Sequence, residues 1–231
     1  MSDVSDGPLP PSPLSLPARL CLLAWDTDRQ HAPDAPHLCH LVRAGALTEL
    51  ALSGLLVDDD GVATPVDLDS RSGDAVLDGL LDLVRESCPR RWGTWVTLRA
   101  RHTLADLREQ LAAEGYLRTE RRRVLGLFPS VAYGLERVAA AEALRAEARQ
   151  ALEGARPAAE VAERTAAAVA LAAAARLRTV VPDPGREPDR WRVEELAERG
   201  AAAAPALRGV VSEVRAALTE ATTAPAASAA G

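Results

Sequence analysis

Apolar residues recur along most of this chain at every third or fourth position, the spacing of one face of an α-helix. The clearest run covers 37–53, where Leu38, Leu41, Val42, Ala46, Leu50 and Ala51 form a stripe that Leu47 and Leu52 widen. So broad a band predicts a helix buried on more than one side. Gly54 ends it. A second stripe, Val76, Leu77, Leu80, Leu81 and Val84, predicts a helix over 74–87 that Pro89 stops. A third helix is expected over 103–114, opened by Thr103 as N-cap with Asp106 in the capping-box position and closed by Gly115. Ser15 and Pro17 suit the start of a short helix running through ARLCLLAW, 18–25. In two places the apolar pattern shortens to strands. Residues 55–57 and 62–66 flank the acidic run Asp58-Asp59-Asp60-Gly61, and 116–119 and 124–128 flank Glu120 to Arg123. Each pair predicts a β-hairpin with the polar run at its tip. Four more helices are expected in the C-terminal half, near 133–153, 157–178, 191–199 and 204–220, with a Pro/Gly loop over 181–188.

These elements predict an all-α, mainly helical protein: one domain over 16–220, a central helical bundle surrounded by further helices, and short β-hairpins. Residues 1–15 are acidic and rich in Pro and Ser, and 221–231 are of low complexity. Both are expected to be disordered tails.

Composition supports the helical reading. Ala, Leu, Arg and Glu dominate and aromatics are 3% of the chain, which favours helix. All 27 basic residues are Arg. Net charge is −6, against the excess of positive charge expected of a non-specific nucleic-acid or membrane binder. The charge is uneven, however. From Arg85 to Arg123 there are ten Arg and five acids, a net +5 that leaves −11 for the remainder. A local basic face on an acidic body suggests a site for a specific anion. The three cysteines, Cys21, Cys39 and Cys88, give no disulfide framework, and a reducing cytosol is expected. The N-terminus lacks the basic start of a signal peptide, and the longest apolar stretch, 166–175, is shorter than a bilayer span.

Catalytic patterns are missing from the sequence. It contains no GxSxG, no HExxH and no phosphate loop of either type. His31, His37, Cys39 and His40 lie within ten residues, but Cys39 points away from the histidine pair and no second ligand pair follows. Neither a zinc site nor a cofactor is expected. The Asp58–Asp60 run lacks the later Glu of a calcium loop and reads as turn chemistry.

The arginines are the better candidates. Arg43 falls on the mainly apolar helix, where a charge must be paired or reach a cleft. Arg101 precedes Thr103, and Arg108 lies two turns further on. Guanidinium forks suit phosphate, and a helix N-terminus adds N–H donors. Arg43, Arg101 and the Thr103 cap are therefore candidates for one phosphate pocket. The competing reading pairs Arg43 with Glu49 or Asp74 inside the core. Arg121-Arg122-Arg123 reads as a basic hairpin tip followed by the apolar strand Val124-Leu125-Gly126-Leu127-Phe128, a combination that suits a membrane interface or a DNA backbone, with a solvated turn as the competing reading.

LVRAGALTELALSG, SGDAVLD, the region of Trp95 and LREQLAAEGYLRTERRRVLGLFPS occur in this order, and together they resemble the Golgi phosphoprotein 3 family. The resemblance covers about 16–218, and the Ala/Arg bias suits a bacterial, actinobacterial-type member. It implies an all-helical fold and a non-enzymatic module that binds phosphatidylinositol 4-phosphate at a shallow basic pocket. Arg43 matches the family's first pocket Arg and Arg101 one of a later basic pair. The pocket Trp is replaced near Asp34, and the other basic residue by Leu104. The family's membrane and oligomer hairpin matches Leu117 to Phe128, which includes Arg121, Arg122, Arg123, Leu125, Leu127 and Phe128.

The expected partner is thus an anionic phospholipid headgroup or another phosphate-bearing ligand, met by Arg43, Arg101 and Arg108, with homo-oligomer contacts at the hairpin. The expected location is cytoplasmic, at the inner face of a membrane. Two alternatives are a winged-helix-like nucleic-acid binder and a cytosolic scaffold using the Ala-rich C-terminal helices. The first lacks a basic recognition helix, since 103–114 carries Arg108 against Asp106, Glu109 and Glu114, so no specific nucleic acid is expected.

Overall fold

The computed structural model describes residues 14–26, 35–124, 128–154, 156–181 and 187–223. The protein is built around helix α2, Ala35–Leu52, in which every residue from 41 to 50 is buried. Helix α1, Leu16–Leu23, lies across it. Their closest approach is at Gly45, where a Cβ would sit 2.6 Å from Leu20 Cδ1 and 3.2 Å from the Pro17 backbone. Ser15 stands at the N-cap of α1 without making a side-chain cap bond. The cap comes from α2 instead, since Leu16 N donates to the buried carboxylate of Glu49 at 2.8 Å. The same carboxylate receives Arg164 Nη2 at 2.5 Å, which ties α1, α2 and the seventh helix together. At the other end of α2, Gly54 has φ +69° and Leu55 N donates to Leu50 O, a Schellman-type stop.

The first hairpin forms as expected. Strands β1, Leu56–Asp59, and β2, Val62–Pro65, pair antiparallel with Asp59 opposite Val62. Asp60 and Gly61 both take positive φ, the two-residue turn that suits strand twist. Asp58 Oδ1 accepts from Gly61 N and from Trp92 Nε1, which fastens the hairpin to helix α4, Trp92–Thr97. Helix α3, Ala75–Glu86, is capped by Asp74, whose side chain accepts from Val76 N and Leu77 N.

Several boundaries differ from the sequence reading, those of the C-terminal helices by a few residues and three nearer the candidate site. Helix α5 is Ala100–Ala113, so Thr103 is inside it and does not cap it. The N-cap is Arg99, held at φ +54° with no side-chain cap bond. Thr103 loses the cap role because its hydroxyl serves Arg43, at 2.6 Å. The second hairpin is longer than expected: β3 is Leu117–Val124, β4 is Phe128–Leu135, and Val124 faces Phe128 across the turn. Arg121, Arg122 and Arg123 are therefore strand residues paired with Val131, Ser130 and Pro129, not the tip. Tyr133 is part of β4, and helix α6 starts later, at Val138–Glu153.

Helix α7, Glu163–Ala174, is the Ala-rich segment, and residues 165–172 are all buried. Small side chains let neighbouring helices approach closely: a Cβ on Gly200 would meet Ala167 Cα at 3.5 Å. The scaffold reading had offered this segment as an outer interface, yet it is interior. Helices α8, Glu187–Ala203, and α9, Leu207–Thr223, pack around it. The expected tails fall largely outside the described residues, although α9 runs to Thr223. Among the described residues no helix is long and apolar enough to cross a membrane.

Candidate functional site

Arg43 is 2% exposed. Its Nε donates to Trp95 O at 2.9 Å, Nη2 to Leu98 O at 2.8 Å and Nη1 to Thr103 Oγ1 at 2.6 Å. It pairs with neither Glu49, which is bound to Arg164, nor Asp74, which caps α3. All three nitrogens are thus spent on the corner between α4 and α5, satisfying carbonyls that the end of α4 leaves open. Burial, and behind it the charge of Arg99, pulls the Arg43 guanidinium down to about 10. At neutral pH it remains a cation, set directly behind the corner that presents Arg99 and Arg101.

That corner is electrostatically unfavourable by itself. Arg99, Arg101 and His102, all exposed, stand at the start of α5, whose first turn has no acid. Helix N-termini carry partial positive charge, so each added cation there costs about 0.3–1 kcal/mol. Arg99 also adopts a left-handed conformation that a non-glycine residue enters at a cost of about 1–3 kcal/mol.

The first turns of α2 face this corner. His37 and His40 are one turn apart and half-buried, and the Nδ1 of each is buried with no hydrogen-bond partner. Burial pushes the His40 imidazole below its ordinary value, and the charges of His37 and Arg101 push it further down. The Cys39 thiol is raised by burial, while Arg101 and then, after local backbone hydrogen bonds, Arg108 pull it the other way. Arg101 thus acts on both His40 and Cys39, and Arg108 on Cys39.

Arg108 continues the basic face along α5. It lies over the Tyr133 ring, 5.6 Å from the centroid, and so connects α5 to the β3–β4 hairpin. Its Nε is buried without a hydrogen-bond partner. Cys21 of α1, raised by burial to about 11, also feels the charge of Arg108.

The structure therefore groups Arg101 and Arg108 around Cys39, with Arg43 braced inside the same corner. Leu104, between them in sequence, turns into the core at 4% exposure. Sequence reasoning missed Arg99, His37 and His40 as members of the basic group. The histidine spacing was visible, but it was weighed for zinc alone. Among the described residues no group of His, Cys, Asp or Glu could hold a metal ion, and His31 lies outside them. The side chains of Arg121, Arg122, Arg123 and Phe128, and all of Leu125 and Leu127, also lie outside the described residues, as does Asp34. The three cysteines are free, with Cys88 exposed.

A groove of about 530 Å³ opens between α8 and α9. Its rim mixes signs, Arg208 being bonded to Glu198 at 2.5 Å beside Arg190 and Glu194. A mixed rim gives no net field for an anion, so the candidate site is the α2–α5 face.

The family model described as Golgi phosphoprotein 3 (GPP34) matches residues 16–214, and the chain belongs to that family. No curated protein matches the chain.

Proposed function

We propose that this member of the Golgi phosphoprotein 3 family is a non-enzymatic module that binds anionic phospholipid, phosphatidylinositol 4-phosphate or another, as a peripheral membrane protein. The observation that carries this reading is the cationic α2–α5 face, where Arg99 and Arg101 are exposed at the start of α5 with no acid in its first turn, and Arg101 acts on both His40 and Cys39. A headgroup phosphate there relieves the repulsion among Arg99, Arg101 and Arg108 and the unfavourable charge at the start of α5. Arg101 is the contacting cation, Arg108 adds field, and Arg43 supports the corner from inside. Arg108 also connects the face to the hairpin through Tyr133. Arg121 to Arg123 belong to β3 of that hairpin.

Nucleic acid is a poorer fit. The outer face of α5 carries Asp106 and Glu109, both exposed, where a recognition helix would have to approach phosphates.

The test is co-sedimentation with vesicles containing phosphatidylinositol 4-phosphate, phosphatidylglycerol or neutral lipid alone, for the wild type, Arg101→Ala and Arg108→Ala. Binding to the anionic vesicles, weakened in both variants and by added salt, is the expected result. Preference for the phosphoinositide would mark a selective pocket despite Leu104, and equal binding a general anionic surface. No binding of the wild type at low salt would overturn the reading.

A further inference from the structure

His37 and His40 have no role in the site as so far drawn. Each presents a buried Nδ1 that nothing satisfies, although buried polar atoms are generally hydrogen-bonded. They sit side by side on the first turns of α2, facing the Arg101 end of α5. We propose that His37 and His40 are headgroup-binding residues that must be protonated to act, so that the anion and protons bind together. This rests on the α2–α5 face being the anion site.

The groups around the pair explain why coupling follows. From α5 the charges are Arg101 and Arg108, with exposed His102 beyond them. Cys21 of α1 and Cys39 of α2 are neutral thiols, both shifted upward by burial. Arg43 and Arg99 stand at the corner. Of the described carboxylates on elements packed against α2, Asp106 and Glu109 of α5 are exposed, and others are held as follows. Glu49 holds Arg164, Asp74 caps α3 and meets Gln110, Asp58 holds Trp92, and Glu213 of α9 lies against Gly93. Asp26, just after α1, already has a partner.

With no anion present, protonating His40 adds a cation that burial and the charges of His37 and Arg101 oppose. An anion between α2 and α5 reverses that sign. Each imidazole then carries two N–H donors in place of one, and the pair is drawn to the charged form. Binding therefore takes up protons, and affinity rises as pH falls. For one proton taken up, the slope approaches a factor of ten per pH unit between the free and bound titration points.

The lipid's own chemistry gives an internal control. A phosphomonoester loses its second proton near pH 6 and gains charge as pH rises (about −1.5 to −2 at pH 7). Phosphatidylinositol 4-phosphate alone would thus bind a fixed set of cations more tightly at high pH. Phosphatidylglycerol, a phosphodiester, keeps one charge throughout and is the cleaner probe.

The experiment measures binding of the full chain to phosphatidylglycerol vesicles at pH 5.5, 6.5 and 7.5 and constant ionic strength. The wild type should bind about ten-fold more tightly at pH 5.5 than at 7.5. His37→Gln and His40→Gln should each reduce that ratio, and the double variant should bring it close to one, while His102→Gln should leave it standing. Proton magnetic resonance of the imidazoles in the wild type supplies a readout that needs no variant. The His37 and His40 titrations should move to higher pH when short-chain phosphatidylglycerol is added. Binding that does not depend on pH would overturn this proposal and leave the proposed function intact. So would a slope that survives the double variant, or imidazole titrations that the lipid does not move. Absence of binding at every pH would overturn both.

Discussion

Replacing Arg43 with Met separates a brace from a ligand contact. The substitution keeps most of the side-chain volume and removes three donors, leaving Trp95 O, Leu98 O and Thr103 Oγ1 without their partner. Hydrogen bonds from a charged donor contribute about 1.5–3 kcal/mol each, so the gross loss is roughly 5–9 kcal/mol. The cost of burying the guanidinium, visible in its depressed titration, is recovered in the variant, and that amounts to several kcal/mol. The net destabilisation should be about 2–4 kcal/mol. With a urea slope of about 2 kcal/mol/M, the unfolding midpoint falls by about 1–2 M. Urea unfolding followed by Trp fluorescence is a direct assay, because Trp92 and Trp95 lie in the braced helix. Thr103→Val removes one of the acceptors, and a double-mutant cycle with Arg43→Met should give a coupling of about 1–2 kcal/mol. Vesicle binding is then measured well below the midpoint. If Arg43→Met abolishes binding while the midpoint and the coupling stay unchanged, Arg43 touches the headgroup itself and the brace argument is wrong.

Three further outcomes are expected. Glu49→Gln weakens both the cap on α1 and the tie to Arg164, and should cost about 2–4 kcal/mol in the same urea assay; a midpoint within 0.2 M of wild type, about 0.4 kcal/mol, would show that the carboxylate is not what holds α1. The folded protein lowers the titration of His40 from its ordinary 6.5, so the unfolded chain binds the proton first. Stability of the free protein should therefore fall as pH drops below 6.5 and level off below the folded value, and His40→Gln should flatten that fall in thermal melts. Leu104→Arg places a charge where the wild-type side chain is 4% exposed; it should destabilise by about 2–4 kcal/mol and not strengthen vesicle binding.

Much of the fold was legible because burial leaves a periodic trace. The stripe on 37–53 marks α2, and the Asp60-Gly61 pair marks a turn that needs two positive φ angles. The misplaced boundaries have a common cause: a local signal was outbid by a contact from elsewhere in the chain. Thr103 reads as an N-cap, but Arg43, sixty residues away, takes its hydroxyl, and the N-cap lies four residues earlier at a strained arginine, Arg99. Ser15 reads as a cap, but Glu49 supplies it. Arg121 to Arg123 read as a turn because three cations favour solvent, yet cross-strand pairing carries them into β3. No window of neighbouring residues contains Arg43 with Thr103 or Glu49 with Ser15, whereas the partners of Arg121 to Arg123 lie within the same hairpin and only its register is misread.

The site was harder to read for a reason specific to this composition. With Arg as the sole strong cation, the same side chain must serve solvent, anions and open carbonyls. Arg43 takes the carbonyls of Trp95 and Leu98, Arg85 those of Asp67 and Ser70, Arg192 those of Ala151 and Arg156, and Arg145 that of Trp25. Five donors in a planar fork make this use natural at helix ends and loops, where four carbonyls per helix need partners. A buried arginine on an apolar helix is therefore better evidence of a backbone clamp than of a pocket. The arginines proposed to meet an anion have the opposite environment. Arg99 and Arg101 are exposed and stand where the helix dipole disfavours them, with no acid in the first turn of α5, and Arg101 acts on His40. Such an arrangement gains nothing for the free protein, and a negatively charged partner is what makes it favourable.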